Sequence, residues 1–135
     1  MQPMRSKAVV YRGNGTTIHV EDILVDPPGP GEVMVKLAAC GVCHSDLSVT
    51  NGTLPLPTPV ILGHEGAGTI AQVGEGVTAF KVGDPVISSL VNTCGKCRYC
   101  TTGRANLCEA GKATRPACCW VATSAPGTPR VSRWA

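Results

Sequence analysis

Four cysteines confined to fifteen residues constrain this chain more than any other feature. They run Cys94-x2-Cys97-x2-Cys100-x7-Cys108. Tetrahedral zinc suits four thiolates, and two-residue spacers let a chain fold back around one ion. Iron–sulfur clusters also accept four-cysteine sets, but the 2-2-7 spacing departs from the ferredoxin patterns. Lys96, Arg98 and Arg104 lie between the thiols and can offset the double negative charge of a zinc tetrathiolate. Four more cysteines complete the set: Cys40 and Cys43, and Cys118 and Cys119 near the end. Met1 to Val10 holds no apolar run long enough for a secretory signal. Unpaired thiols without such a signal point to metal binding or catalysis before disulfides, and to a cytoplasmic location.

The rest of the chain reads as short strands. Sixteen glycines and eleven prolines among 135 residues oppose a helix bundle, because both residues interrupt helices. Ala8 to Tyr11 precedes a Gly13-Asn14-Gly15 turn, and Ile18 and Val20 alternate with polar neighbours. Val33, Val35 and Leu37 alternate with Met34, Lys36 and Ala38, the period of a half-buried strand. Val60 to Leu62 and Ile70 to Val73 flank a glycine-rich corner, and Val86-Ile87 follows a Gly83-Asp84 turn. Ser45 to Val49 is the best helical candidate. Many short strands with Gly/Pro corners predict a mainly β fold, a small barrel or sandwich. No segment reaches the ~18–20 apolar residues of a transmembrane helix. The net charge of +3 resides after residue 108, where Lys112, Arg115, Arg130 and Arg133 face Glu109 alone. The neutral body gives no electrostatic case for nucleic acid or membrane partners.

A second constellation lies upstream. Cys40-Gly41-Val42-Cys43-His44-Ser45-Asp46 is followed by Gly63-His64-Glu65. A thiolate, an imidazole and a carboxylate make a second zinc-suited set, and fewer than four protein ligands leave a position for water or substrate. Asp46 can accept the second ring proton of His64 and fix its tautomer. Ser45 can carry a proton. Three plainer readings stand beside this one. Cys40-x2-Cys43-His44 has the form of a c-type haem attachment site, Cys40 and Cys43 have the spacing of a redox pair, and His64 alone could be a core histidine.

Gly63-His64-Glu65-x2-Gly68-x5-Gly74-x2-Val77 resembles the zinc signature of the zinc-dependent medium-chain alcohol dehydrogenases. Gly41 to Asp46 is similar to that family's first catalytic-zinc segment, the four-cysteine run to its structural-zinc lobe, and Lys81 to Val86 to its turn after the signature. The resemblance spans residues 6–116. It implies a GroES-like, partly open β-barrel over residues 1–116, with a zinc lobe at about 92–110. It implies Cys43, His64 and Glu65 at a catalytic zinc, and Cys94, Cys97, Cys100 and Cys108 at a structural zinc. Ser45, Asp46 and His64 are then the catalytic side chains, and His44 faces the cofactor pyrophosphate. Cys40 matches no ligand. The implied chemistry is hydride transfer between an alcohol or aldehyde and NAD(P), with zinc as the Lewis acid.

Two parts of the family pattern are missing from these 135 residues: the cysteine that the resemblance implies as third protein ligand to the catalytic zinc, beside which Glu65 is the neighbouring carboxylate that can approach the metal, and a G-x-G-x-x-G turn of a Rossmann domain. The expectation is therefore a truncated dehydrogenase domain, inactive alone, whose full-length parent is a homo-oligomer acting on a small alcohol or aldehyde. Residues 117–135 read as an aberrant, disordered tail. Shifted by one frame, the codons of Ala117 to Val121 spell Met/Leu/Val-Leu-Leu-Gly, an apolar strand end, which suggests a frame change near residues 114–117. The alternative is a non-enzymatic, zinc-stabilised binding module on the same barrel.

Overall fold

The computed structural model describes residues 2–15, 17–89, 93–109, 120–123 and 130–131. Strands Met4–Tyr11 (β1) and Ile18–Val25 (β2) pair antiparallel along their whole length, from Met4 opposite Val25 to Tyr11 opposite Ile18. The next strand, Val33–Gly41 (β3), leads into a single short helix, His44–Thr50 (α1). Val60–Ile61 (β4) returns to pair with the end of β1. Glu65–Val73 (β5) lies antiparallel to β3, and Pro85–Ile87 (β6) pairs with the other edge of β5. The lobe after residue 93 holds one helical turn, Arg98–Thr101 (α2), and a 3-10 turn at Ala105–Leu107.

Two further strands, Trp120–Thr123 (β7) and Arg130–Val131 (β8), fall in the segment expected to lack order. β7 pairs with β4, and β8 pairs with both β7 and β2. A ring of pairings results, in the order β1-β2-β8-β7-β4, while β3-β5-β6 forms a separate sheet. The physical reason is plain. Val60 and Ile61 already pair with β1 on one side, and their other side offers free backbone groups that any extended segment can satisfy. Residues 110–119, where the frame change was placed, lie outside the described residues.

The core is small and sits where β1, β2, β4 and α1 meet. Val10, Ile23 and Ile61 form one buried cluster, with Ala8 and Val25 against it. Tyr11, Val49 and Val60 form a second, flanked by Leu56 and Leu62. A seven-residue helix has no stability of its own, since nucleation costs more than so few bonds return. Val49 anchors α1 in the second cluster, and the Tyr11 hydroxyl lies 3.2 Å from the Thr50 carbonyl at its end. The same hydroxyl is 2.8 Å from the Gly15 carbonyl, so one phenol ties the β1–β2 turn to the helix.

The alternation in β3 differs from the expected one. Met34 is buried, while Leu37 is 57% exposed. Register shifts between Met34 and Val35 and between Leu37 and Ala39 reset the faces of this strand, so a simple period of two cannot follow it. The second bulge accompanies a close approach: a Cβ on Gly68 would run into the Lys36 backbone carbonyl. Among the described residues no helix is long and apolar enough to cross a membrane.

Adjacent positions on the barrel give a direct test. Val10 is fully buried and Val20 is 69% exposed. Val10→Ala is expected to cost about 2 kcal/mol, and Val20→Ala less than about 0.5 kcal/mol, read as urea midpoints of the two variants.

Candidate metal centres

Helix α1 begins at Cys43, whose backbone is extended and whose N–H is held by the helix itself. Asp46, three residues on, accepts from the Cys43 N–H through Oδ2 at 3.0 Å. This satisfies an amide the first turn would otherwise leave unpaired, and places a carboxylate where the helix dipole favours it. The other oxygen, Oδ1, accepts from the Gly63 N–H at 3.1 Å and lies 3.5 Å from Nδ1 of His64. Asp46 is buried, and so is the imidazole. One carboxylate thus holds the thiol-bearing residue, the turn before the histidine, and the histidine ring. Gly63 makes that turn with φ of 106°, a conformation other residues rarely adopt.

The result is a convergence of three donor groups. The ligand atoms of Cys43, His64 and Glu65 lie within 4.8 Å of one another. With Nδ1 facing Asp46, Nε2 is the ring atom left to bind, and Ser45 Oγ stands 3.1 Å from it. The Cys43 thiol is held below its ordinary pKa, first by the Ser45 hydroxyl, then by the Ser45 N–H and by His64. A soft thiolate, an imidazole and a carboxylate suit zinc, and three protein ligands leave one position open. Glu65 stands opposite Gly41 across the β3–β5 ladder, and a Cβ on Gly41 would collide with its carboxylate.

The four-cysteine lobe is a second set. The sulfurs of Cys94, Cys97, Cys100 and Cys108 lie within 4.8 Å of one another, as a tetrahedral ion with Zn–S bonds of about 2.3 Å requires after slight contraction. Backbone amides already point at the sulfurs: the Cys94 N–H donates to Cys108 Sγ and the Cys97 N–H to Cys94 Sγ, each at 3.3 Å. The Cys97 thiol is lowered to about 6 because the N–H groups of Cys100 and Glu109 donate to it. Burial pushes Cys100 up to about 11. The charge of Arg98 rests over the Tyr99 ring, 4.9 Å from its centroid.

The remaining expected residues are less engaged. His44 is exposed on the first turn of α1, with Nδ1 3.4 Å from Ser48 Oγ. Cys40 lies outside both donor sets, its sulfur packed toward Gly63. An open groove of about 550 Å³ on the β3-β5-β6 sheet, lined by Leu37, Ala67, Val86 and Ile87 among others, includes none of the donor residues. One contributor escaped the sequence reading. Ser88, just after β6, bonds to the strand that carries His64 and Glu65. No spacing rule connects it to a histidine 24 residues earlier.

The family described as alcohol dehydrogenase GroES-like domain matches residues 29–128, running past the point where the motifs end. An NDMA-dependent alcohol dehydrogenase of Amycolatopsis methanolica is 47% identical over 108 residues, covering 80% of this chain and 29% of the relative. An alcohol dehydrogenase zinc-binding domain protein from Burkholderia ambifaria has a solved structure that aligns with a TM-score of 0.79 at 31% identity, over 96% of this chain and 36% of that one. A thermostable alcohol dehydrogenase from Pyrobaculum aerophilum, solved with cobalt and zinc bound, aligns with a TM-score of 0.72 at 33% identity, covering 82% and 34%. The chain spans about a third of the length of the proteins it matches.

Two expectations test the sites. Asp46→Asn removes acceptor capacity that three groups share, and the Cys43–His64–Glu65 set is expected to lose about 10- to 100-fold in zinc affinity, measured by competition with a chromophoric chelator. In the metal-free chain at pH 7, Cys97 is expected to be alkylated by iodoacetamide before Cys100, since its pKa of about 6 leaves mostly thiolate while that of about 11 leaves mostly thiol. Peptide mass spectrometry against reaction time gives the order.

Proposed function

The chain belongs to the zinc-dependent medium-chain alcohol dehydrogenase family, and from that membership we propose that residues 1–116 are the zinc-carrying catalytic portion of an enzyme oxidising alcohols or reducing aldehydes with NAD(P). The observation that carries the reading is the convergence of Cys43, His64 and Glu65, with the ring of His64 turned by Asp46 so that Nε2 faces the same space. Cys43, His64 and Glu65 would hold one zinc, and Cys94, Cys97, Cys100 and Cys108 another. When bound, the first ion supplies Lewis acidity toward a substrate oxygen.

The chain's own residues divide the work. Asp46 Oδ1 stands 3.5 Å from Nδ1 of His64, which orients the ring and leaves Nε2 as the atom free to bind. Ser45 Oγ, 3.1 Å from Nε2, would lie close to a metal held by His64 and could hold or pass a proton there. The Cys43 N–H, tied to Asp46, sets the sulfur at the start of α1. His44 projects beside this group on the exposed first turn, where a cation would meet a cofactor phosphate. The four-cysteine lobe has no part in the reaction and serves as a folding element, since closing such a loop around zinc is itself folding energy.

The sequence of 135 residues contains no G-x-G-x-x-G turn, and the further cysteine that the family brings to its catalytic zinc is not part of the Cys43–His64–Glu65 set. The chain as it stands is therefore proposed to be inactive. Metal analysis of the purified chain is expected to find one zinc retained through dialysis and a second that exchanges readily. Calorimetry is expected to find no NAD(H) binding. Alcohol oxidation coupled to NAD(P) by the pure chain would overturn the inactivity. A Cys43→Ser variant with unaltered affinity for the second zinc would overturn the site.

A further inference from the structure

We propose that Ser88 is a positioning residue for the Cys43–His64–Glu65 metal set, acting through the backbone on either side of Glu65. The inference rests on the reading of that set as a zinc site. Ser88 follows the last residue of β6, which pairs with β5, the strand that begins at Glu65. It makes three bonds to the His64–Gly66 stretch. Its N–H donates to the Gly66 carbonyl at 2.8 Å. Its Oγ accepts from the Gly66 N–H at 2.8 Å and donates to the His64 carbonyl at 3.1 Å. The hydroxyl therefore uses both its donor and its acceptor capacity on one short stretch, His64 to Gly66, which brackets Glu65.

That stretch needs an external hold. Pairing of β3 with β5 starts at Gly41 opposite Glu65, so the ladder has its end at the donors. β6 pairs only with Ala67, Gly68 and Thr69. Strand ends fray when nothing ties them. Asp46 secures the Gly63 side, at the Gly63 N–H and the His64 ring. Ser88 secures the opposite side, at the His64 carbonyl and the Gly66 amide. The two hydrogen-bonding groups clamp the His64–Glu65 segment from different elements, Asp46 from helix α1 and Ser88 from the residue after β6, and neither Ser88 atom is placed as a metal ligand. Groups of this kind, one bond removed from a ligand, change metal affinity by about 10- to 100-fold when lost.

The test uses the full chain with zinc already in the four-cysteine lobe, titrated with Co²⁺ and followed by visible absorption. Ser88→Ala is expected to weaken Co²⁺ binding about tenfold and to shift the ligand-field bands, because His64 and Glu65 no longer share one geometry. Ser88→Thr keeps the hydroxyl and is expected to restore both affinity and spectrum. The zinc affinity of the four-cysteine lobe is expected to be equal in all three proteins. Equal Co²⁺ affinity and spectra for wild type and Ser88→Ala overturn the proposal while leaving the metal set standing. Parallel losses at the lobe and at the Co²⁺ site, or failure of Ser88→Thr to restore the spectrum, also overturn it, since they indicate a general loss of folding or a role other than the hydroxyl's. A wild-type chain that takes up no Co²⁺ beyond the loaded lobe overturns both this proposal and the reading it rests on.

Discussion

A single buried carboxylate organises the Cys43–His64–Glu65 donor set. Asp46 is too well shielded to remain unpaired, and a buried charge without partners is costly. It obtains them from the Cys43 amide, the Gly63 amide and the His64 ring. Those partners come from two segments that the chain brings together only through β3 and β5. The start of the helix, the tight turn at Gly63 and the orientation of the imidazole are consequences of one group meeting its hydrogen-bonding needs. An amide at position 46 has one acceptor oxygen, and could not accept from both the Cys43 and the Gly63 N–H through separate oxygens as Asp46 does.

The two donor sets are built on different principles. The lobe at Cys94 to Cys108 draws all its ligands from consecutive turns, with α2 and a 3-10 turn between them, so its geometry depends little on the barrel. The Cys43–His64–Glu65 set is a property of the tertiary structure. It needs α1 docked through Val49 and Tyr11, and β5 in register with β3. Closed and locally made, the first suits a structural ion. Open and assembled from afar, the second suits chemistry.

Local sequence carried most of the information about both sets, because metal ligands impose spacing and residue type at once. The four thiols and the Gly63-His64-Glu65 motif were legible for that reason. Gly68 was legible as a motif position but not in its cause, which is the Lys36 carbonyl standing where a Cβ would lie. Side-chain alternation failed at β3, where two register shifts place Met34 inside and Leu37 outside. Ser88 was invisible, since a serine after a short strand has many uses and only the fold places it over His64 and Gly66. Strands β7 and β8 carry no strong pattern of their own: β7 pairs along the open side of β4, and β8 with β7 and β2.

The two donor sets differ in what must form before their ligands can meet. Their loops are of similar length, so loop closure separates them by less than about 0.6 kcal/mol, and the difference lies in the sheet that one of them needs. The four thiols can gather round an ion while the rest of the chain is still unfolded, since their fifteen residues close without a sheet. Cys43 and His64 meet only after the β3–β5 ladder has zipped to its end at Gly41 and Glu65. Metal scarcity during synthesis would therefore be felt unequally. The lobe would compete for zinc from an early stage, and the second set would receive its ion last, from a pool the lobe has already drawn on.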